Sequence, residues 1–553
     1  MVGVTPQEVV SVLQAAVEAA VASGELTADV PDDLAVERPR NPDHGDYATN
    51  AALRLAKSAG RPPREVAEIL AEKLRASGGV SRVDVAGPGF LNITLDADAL
   101  GQLAQVIVEA GAAYGRSELL AGQTINLEFI SANPTGPLHL GHTRWAAVGD
   151  CLARVLSAAG ARVTTEFYIN DRGVQMDRFG ASLTAAALGQ PIPADGYQGD
   201  YIPELARQVV VEHPEILELA TDQQQDAFRE EGYALQLAEQ QQTLESFGTH
   251  FDVWYSERVL HTSGAVERAL DTLKEQGHLF TDQGALWLRT SDFGDDKDRV
   301  LIKSDGSLTY FASDAAYYLD KRARGFDRCI YLLGADHHGY VNRLRAIAAC
   351  AGDDPDRNIE VLIGQLVKIV RAGKEVRLAK RAGEIVTLTD FVAAVGVDAV
   401  RYSLARYPAD SPIVLDLDLI TKQSSDNPVY YVQYAHARTC NVLANAASVG
   451  IDLQVFRPEL LNHETEAALL TALGDFGRIV AQAAELREPH RIARYLEELA
   501  GLLHRWYEAC RIVPKGEDEI TDTNRSRLWL NVATRTVLAN GLGLLGVSAP
   551  ERM

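Results

Sequence analysis

Cysteine is scarce and scattered in this chain. Cys151, Cys329, Cys350, Cys440 and Cys510 are the five, and none stands in a CxxC spacing. An odd, dispersed set excludes a disulfide framework and a cysteine zinc site, leaving reduced core thiols. Positive charge is also short: 53 Lys and Arg face 76 Asp and Glu, for a net charge of −23. That excess excludes a non-specific nucleic-acid coat, but one RNA could still meet a locally basic face. Charges interrupt every apolar run before membrane-spanning length, so no membrane partner is expected. The opening MVGVTPQEVV lacks the basic and apolar regions of a signal peptide, and a cytoplasmic protein is expected. There is no GxxxxGK[ST], which excludes a P-loop. Short-period repeats and low-complexity tracts are absent as well.

What is present suits a globular protein. The 553 residues, 46% of them hydrophobic, allow a large core and roughly three or four domains. Helical spacing over about 5–24 and about 46–76 leads into VSRVDVAGPGFLNITLD, which alternates like strands around a Gly-Pro-Gly turn. Residues 1–112 therefore read as a small α+β domain. QTINLEFIS then predicts a strand, Gly141 to about Gly160 a helix, VTTEFYIN a strand, and a helix follows Arg172. That alternation predicts a parallel, doubly wound sheet over 113–426. A polar, mostly helical insertion is expected at about 195–275. ALWLRT and VLIKSDGSLTYFA read as strands with a turn at Asp305-Gly306, a helix is expected from Ser313, and IEVLIGQLVKIV reads as further strand. Strand patterns stop near Asn427, so 427–553 is expected to be all-α.

One stretch is too rich in breakers for core and too apolar for a solvated linker. Ala132, Asn133, Pro134, Thr135, Gly136, Pro137, Leu138, His139, Leu140, Gly141 and His142 follow the QTINLEFIS strand and open a helix. Unsatisfied amides at a helix start favour an anion such as a nucleotide phosphate. His139 and His142 add neutral or cationic donors, and Gly141 permits close approach. Their i, i+3 spacing without an intervening Glu does not fit a HExxH zinc helix, so no structural metal is expected. Downstream, Arg377, Lys380 and Arg381 crowd three cations before Gly383. Alone, such a run is usually a solvated turn. With the histidine loop it could clamp leaving phosphates.

HLGH followed by RLAKR resembles the signature pair of class I aminoacyl-tRNA synthetases. EFISANPTGPLHLGHTR, YINDRGVQ, SDNPVYYVQYAHAR and GLGLLGVSAPERM resemble the arginyl-tRNA synthetase family in particular. HGDYATNAALRLAK and GPGFLNI resemble its N-terminal domain. The resemblance spans nearly the whole chain. It implies a Rossmann-type catalytic domain, an N-terminal domain on the tRNA elbow, a helical anticodon-binding domain, and ATP with Mg²⁺ as cosubstrate. It implies L-arginine and tRNA(Arg) as the other partners. A monomer is expected, and no editing site, because a buried carboxylate on the guanidinium already separates arginine from neutral citrulline.

The resemblance also assigns positions. Glu128 and Asn133 would hold the α-amino end of arginine. Tyr310 and Asp314 would surround the guanidinium, and His338 would be a further substrate contact. The loop from Ala132 to His142, with Lys380, would hold ATP. Phe90 and Asn92 would touch the dihydrouridine loop of tRNA, and Tyr430, Tyr431 and Tyr434 would suit unpaired anticodon bases. Plainer readings exist for several: Asp314 as a helix cap, Tyr310 as a strand residue, Phe90 and the three tyrosines as core. The RLAKR run departs from KMSKS at Arg377, Ala379 and Arg381 while keeping Lys380. Two other function classes are carried beside the ligase: a non-catalytic tRNA-binding paralogue, and an enzyme spending an arginine adenylate elsewhere.

Overall fold

The computed structural model describes residues 5–31, 33–39, 41, 44–375, 387–516 and 518–553. The first helix, Pro6–Ala22, starts where sequence chemistry starts it. Thr5 caps it and Glu8 returns a side-chain bond to the Thr5 amide, closing a capping box. The expected helical stretch at 46–76 divides into strand Tyr47–Thr49 and helices Ala51–Ala59 and Pro63–Ala76. The left-handed Gly60 and Pro62 separate the two helices. Tyr47–Thr49, Phe90–Leu95 and Val80–Ala86 form an antiparallel sheet with Phe90–Leu95 in the middle.

The centre of the molecule is a five-stranded parallel sheet. We label its strands β1 (Thr124–Glu128), β2 (Arg162–Ile169), β3 (Val253–Ser256), β4 (Arg328–Gly334) and β5 (Ile359–Gly364). Their spatial order is β5-β4-β1-β2-β3, with every pair parallel. After β2 and β3 the chain returns to the other side of β1. The order therefore reverses between β1 and β4, and a crevice for ligands opens at their carboxyl ends.

Four helices matter for the site. α1 (Leu140–Ala158) follows β1, α2 (Val174–Ala187) follows β2, α3 (Thr221–Ser246) precedes β3, and α4 (Tyr310–Ala323) leads to β4. The stretch 195–275 holds helices Tyr201–Glu212 and α3 but also β3, so the expected insertion supplies an edge strand of the main sheet. Only four residues, all half-buried, make that strand, which is too weak a pattern to read beforehand.

The sequence reading errs at three further places. Leu279–Asp282, Ala285–Leu288 and Arg299–Ile302 pair antiparallel in a separate small sheet, not in the parallel one. The expected strand through SLTYFA ends at Ile302. A turn at Gly306 (φ 82°) follows, and α4 begins at Tyr310 rather than Ser313. Thr309 is the reason, because its side chain accepts the Ala312 amide as an N-cap. Likewise IEVLIGQLVKIV breaks in two. Gly364 lies so close to the Trp145 ring that a Cβ there would sit 2.5 Å from it. Val367–Arg371 then pairs with Ile413–Asp416 instead.

The C-terminal part is helical: Pro428–Ser448, Glu464–Leu486, His490–Ala509 and Asp522–Leu544. Arg401, fully buried, ties its end to α1 and to the segment after α3. It donates to the carbonyls of Phe247, Gly248 and Leu545 at 3.1–3.3 Å and pairs with Asp150 of α1. Among the described residues no helix is long and apolar enough to cross a membrane.

Candidate active site

The chain leaves β1 through a sharp bend. Ile130 and Ser131 take left-handed φ of 67° and 44°, a conformation uncommon for any residue but Gly and unusual for a β-branched one. The loop that follows is held by side chains from the 195–275 stretch. Gln240 Nε2 donates to the carbonyls of Asn133 (3.0 Å) and Gly136 (2.7 Å), and Tyr201 donates its hydroxyl to the Thr135 carbonyl at 2.8 Å. Ala132, Pro134, Thr135 and Leu138 are buried, Gly136, Pro137 and Leu140 half-buried, and Asn133 is exposed.

His139 is the N-cap of α1. Its Nδ1 accepts the Gly141 amide at 3.0 Å, while His142 Nδ1 accepts the His139 amide at 3.3 Å. The two rings stack with centroids 3.8 Å apart. A Cβ on Gly141 would lie 2.8 Å from His139 Cε1, so the glycine makes room for the capping ring. Burial lowers His139, and burial plus the neighbouring His139 lowers His142 to about 3. Both imidazoles are therefore neutral near pH 7. With each Nδ1 accepting, the proton sits on Nε2. The loop offers neutral N–H donors, not the cations that sequence chemistry left open. Leu388 donates its amide to the Leu138 carbonyl at 2.8 Å, tying the segment after 376–386 to this loop. Arg377, Lys380 and Arg381, with the whole RLAKR run, lie outside the described residues.

Across the crevice the chemistry is acidic. Glu128, at the end of β1, takes Lys321 Nζ at 2.5 Å on Oε2 and the Ser131 hydroxyl at 2.9 Å on Oε1. Asp314 lies one turn after Tyr310 on α4. It does not cap that helix, because Thr309 does. No hydrogen bond or ion pair among the described residues reaches its carboxyl group. Burial pushes Asp314 up to about 7, helped by Glu128 and Glu257 and opposed by Arg343. Burial likewise pushes Glu257 up to about 7, with Arg172 opposing and Asp171 adding. Glu257 is 5% exposed and its Oε1 lies 3.7 Å from His261 Nε2, which reaches Ser313 Oγ at 3.1 Å. Tyr310 is the wide-open member at 73% exposed, and His338 stands exposed just past the end of β4.

Sequence reading missed Glu257 and Lys321. Asp314, Tyr317 and Lys321 are spaced i, i+3, i+7 on one helical face, a signal the expected helix from Ser313 already held. Nothing local marks Glu257. It reaches the pocket because β3 joins the sheet beside β2.

The remaining candidates are far along the chain from this crevice. Phe90 is 41% exposed at the start of its strand. Asn92 sits mid-sheet between Ala48 and Asp84 and is only 8% exposed, so it presents much less surface than Phe90. Tyr430, Tyr431 and Tyr434 are not fully buried, although Tyr431 packs against the core. Tyr434 is exposed and the other two half-buried. Tyr430 and Tyr434 stack at 6.2 Å, and Arg438 lies 4.8 Å from the rings of both Tyr434 and Tyr507.

Three family models divide the chain between them. "Arginyl tRNA synthetase N terminal domain" matches residues 7–95, "tRNA synthetases class I (R), catalytic domain" matches 102–190 and 202–402, and "DALR anticodon binding domain" matches 432–553. A protein of Kineococcus radiotolerans called arginine–tRNA ligase is 60% identical over 553 residues, covering 99% of this chain and 100% of its own. One of the same name from Renibacterium salmoninarum is 60% identical over 552 residues, with the same coverage. In fold, the chain is similar to the Thermus thermophilus arginyl-tRNA synthetase, with a TM-score of 0.74 at 24% identity over 98% of this chain and 99% of that one. With a full-length relative at that identity and a catalytic model matched over more than half its length, the chain belongs to the arginyl-tRNA synthetase family.

Proposed function

We propose that the acidic pocket and the histidine loop are the two halves of one arginine-activating site. The chain is an ATP-dependent arginine–tRNA ligase, as its family membership implies. In the first step an arginine carboxylate oxygen attacks the α-phosphorus of ATP in line. Pyrophosphate leaves, and arginyl-adenylate remains. In the second, the 2′-hydroxyl of the terminal adenosine of tRNA(Arg) attacks the adenylate carbonyl and AMP leaves. No side-chain nucleophile is needed, because positioning and charge stabilisation supply the catalysis.

In this reading Glu128 and Asn133 take the α-amino end, and Tyr310, Asp314 and Glu257 take the guanidinium, with His338 at the pocket's edge. His139, Gly141 and His142 meet ATP through N–H donors. ATP enters as its magnesium complex, which neutralises phosphate charge, and Lys380 adds charge on the leaving pyrophosphate. Residues 1–112 serve the tRNA elbow through Phe90 and Asn92. Residues 427–553 read the anticodon with Tyr430, Tyr431 and Tyr434 among the contacts, and 113–426 catalyse. The protein works as a monomer.

The observation that carries the reading is the pairing of half-buried Asp314 with buried Glu257, both carboxyl groups raised to about 7. Carboxyl groups crowded together are poised for a cationic ligand. Arginine-dependent exchange of pyrophosphate into ATP, run with and without tRNA(Arg), tests it. Exchange in either condition, absent with citrulline, is the expected result. No exchange in both conditions would sink the assignment.

A further inference from the structure

We infer that Lys321 is a positioning residue for amino-acid recognition: with Ser131 it clamps the Glu128 carboxylate so that its remaining lone pairs face the α-ammonium of arginine. The inference rests on the reading of Glu128 as the α-amino contact.

Lys321 has no exposed surface. Its ammonium lies 2.5 Å from Glu128 Oε2 and between two aromatic faces, 4.4 Å from the Tyr317 ring centre and 3.9 Å from that of Tyr331. A buried ammonium is costly unless paired and hydrogen-bonded, so this placement needs a purpose. The other acid near it, Glu166, is already satisfied by both Nη atoms of Arg324 (2.5 and 2.9 Å) and by the Tyr317 hydroxyl. The hydrogen bond Lys321 donates among the described residues goes to Glu128.

The other Glu128 oxygen is held from the opposite side. Ser131 donates its hydroxyl to Oε1 at 2.9 Å, and its oxygen accepts the Tyr168 amide at 3.1 Å. Ser131 reaches that position through its left-handed backbone. A carboxylate offers about four lone-pair sites. Lys321 and Ser131 take one on each oxygen, which fixes the plane of the group and leaves two for a ligand.

The test separates the amino end of the substrate from its guanidinium end. Calorimetry on the full chain compares L-arginine with 5-guanidinopentanoate, which lacks the α-amino group. Lys321→Met should weaken arginine about 10- to 100-fold, the scale of a lost charge-assisted interaction, and change the analogue by less than about threefold. Lys321→Gln, which keeps a donor, should recover part of the loss. Equal weakening of both ligands, or none, would overturn the proposal. So would tighter arginine binding, which would mean that Lys321 competes with the substrate ammonium. If Lys321→Met does not fold, Ser131→Ala loosens the clamp from the other oxygen and should show the same selectivity at smaller size; no selectivity there would also overturn it. Glu128→Gln is the control for the underlying reading. If it fails to distinguish the two ligands, the α-amino role of Glu128 falls. If it distinguishes them and Lys321→Met does not, only the clamp falls.

Discussion

The two sides of the crevice solve opposite electrostatic problems with opposite means. The histidine loop is exposed at His139, uncharged near neutral pH, and shaped by hydrogen bonds from Gln240 and Tyr201 onto its backbone. The pocket opposite crowds buried Glu128 and Glu257 with half-buried Asp314, and Glu257 and Asp314 rise to about 7. Neutral donors at a helix start can meet a large, solvated anion without the cost of burying charge. A small cation that must be told from a neutral isostere calls for buried carboxylates, because the wrong ligand leaves them unpaired.

The comparison breaks hardest at Asp314. Asp314→Asn keeps the shape and removes the charge. It should cost about 3–5 kcal/mol, or roughly 10²–10⁴ in kcat/KM for arginine, with ATP KM unchanged and discrimination against citrulline reduced. Normal arginine kinetics in this variant would mean that the acidic side is not the specificity side. Next comes His139→Asn. Asn is a strong N-cap, so the melting temperature should hold, while loss of one oriented donor should lower kcat for adenylate formation about 10²–10³-fold. A lowered melting temperature with intact kcat would reduce His139 to a cap.

A pH series sharpens the contrast. Asp314 and Glu257 must ionise to receive a guanidinium, and both carry raised values near 7. From pH 8 to 6, kcat/KM for arginine should therefore fall about tenfold or more. His142, lowered to about 3, adds nothing to that limb, and burial lowers His139 as well. Glu257→Gln should move the midpoint downward, since Glu257 helps raise Asp314. A flat profile from pH 6 to 8 would contradict the pocket's chemistry. The smallest effect belongs to the prop. Gln240→Ala removes two hydrogen bonds onto the loop and should raise ATP KM about 5- to 30-fold, at about 1–2 kcal/mol, and leave arginine binding alone.

The histidine side was legible because its causes are local. Breakers, a cap and a glycine within one dozen residues predict a shaped loop before a helix, and α1 begins at Leu140 as that pattern requires. The acidic side was legible only in part. Glu128 and Asp314 followed from resemblance, but the start of α4 was misplaced, because a strand-like run hid the Thr309 cap. Lys321 shares a helical face with Asp314, but spacing alone does not say that this face meets Glu128. How far Asn92 is covered was not legible either: alternation tells which face a strand residue takes, not how far its neighbours cover it.

By itself the sequence determined the fold class, the helical character of the C-terminal part, the loop ahead of α1 and the family, all of which follow from short-range pattern and motif. Only the tertiary structure decided that Glu257 joins Asp314 and that Lys321 faces Glu128. It also decided that Gln240 and Tyr201 hold the loop and that both histidines are neutral. Pairing, burial and the shifts they cause depend on which strands become neighbours, and parallel strands become neighbours through crossovers that no local spacing records.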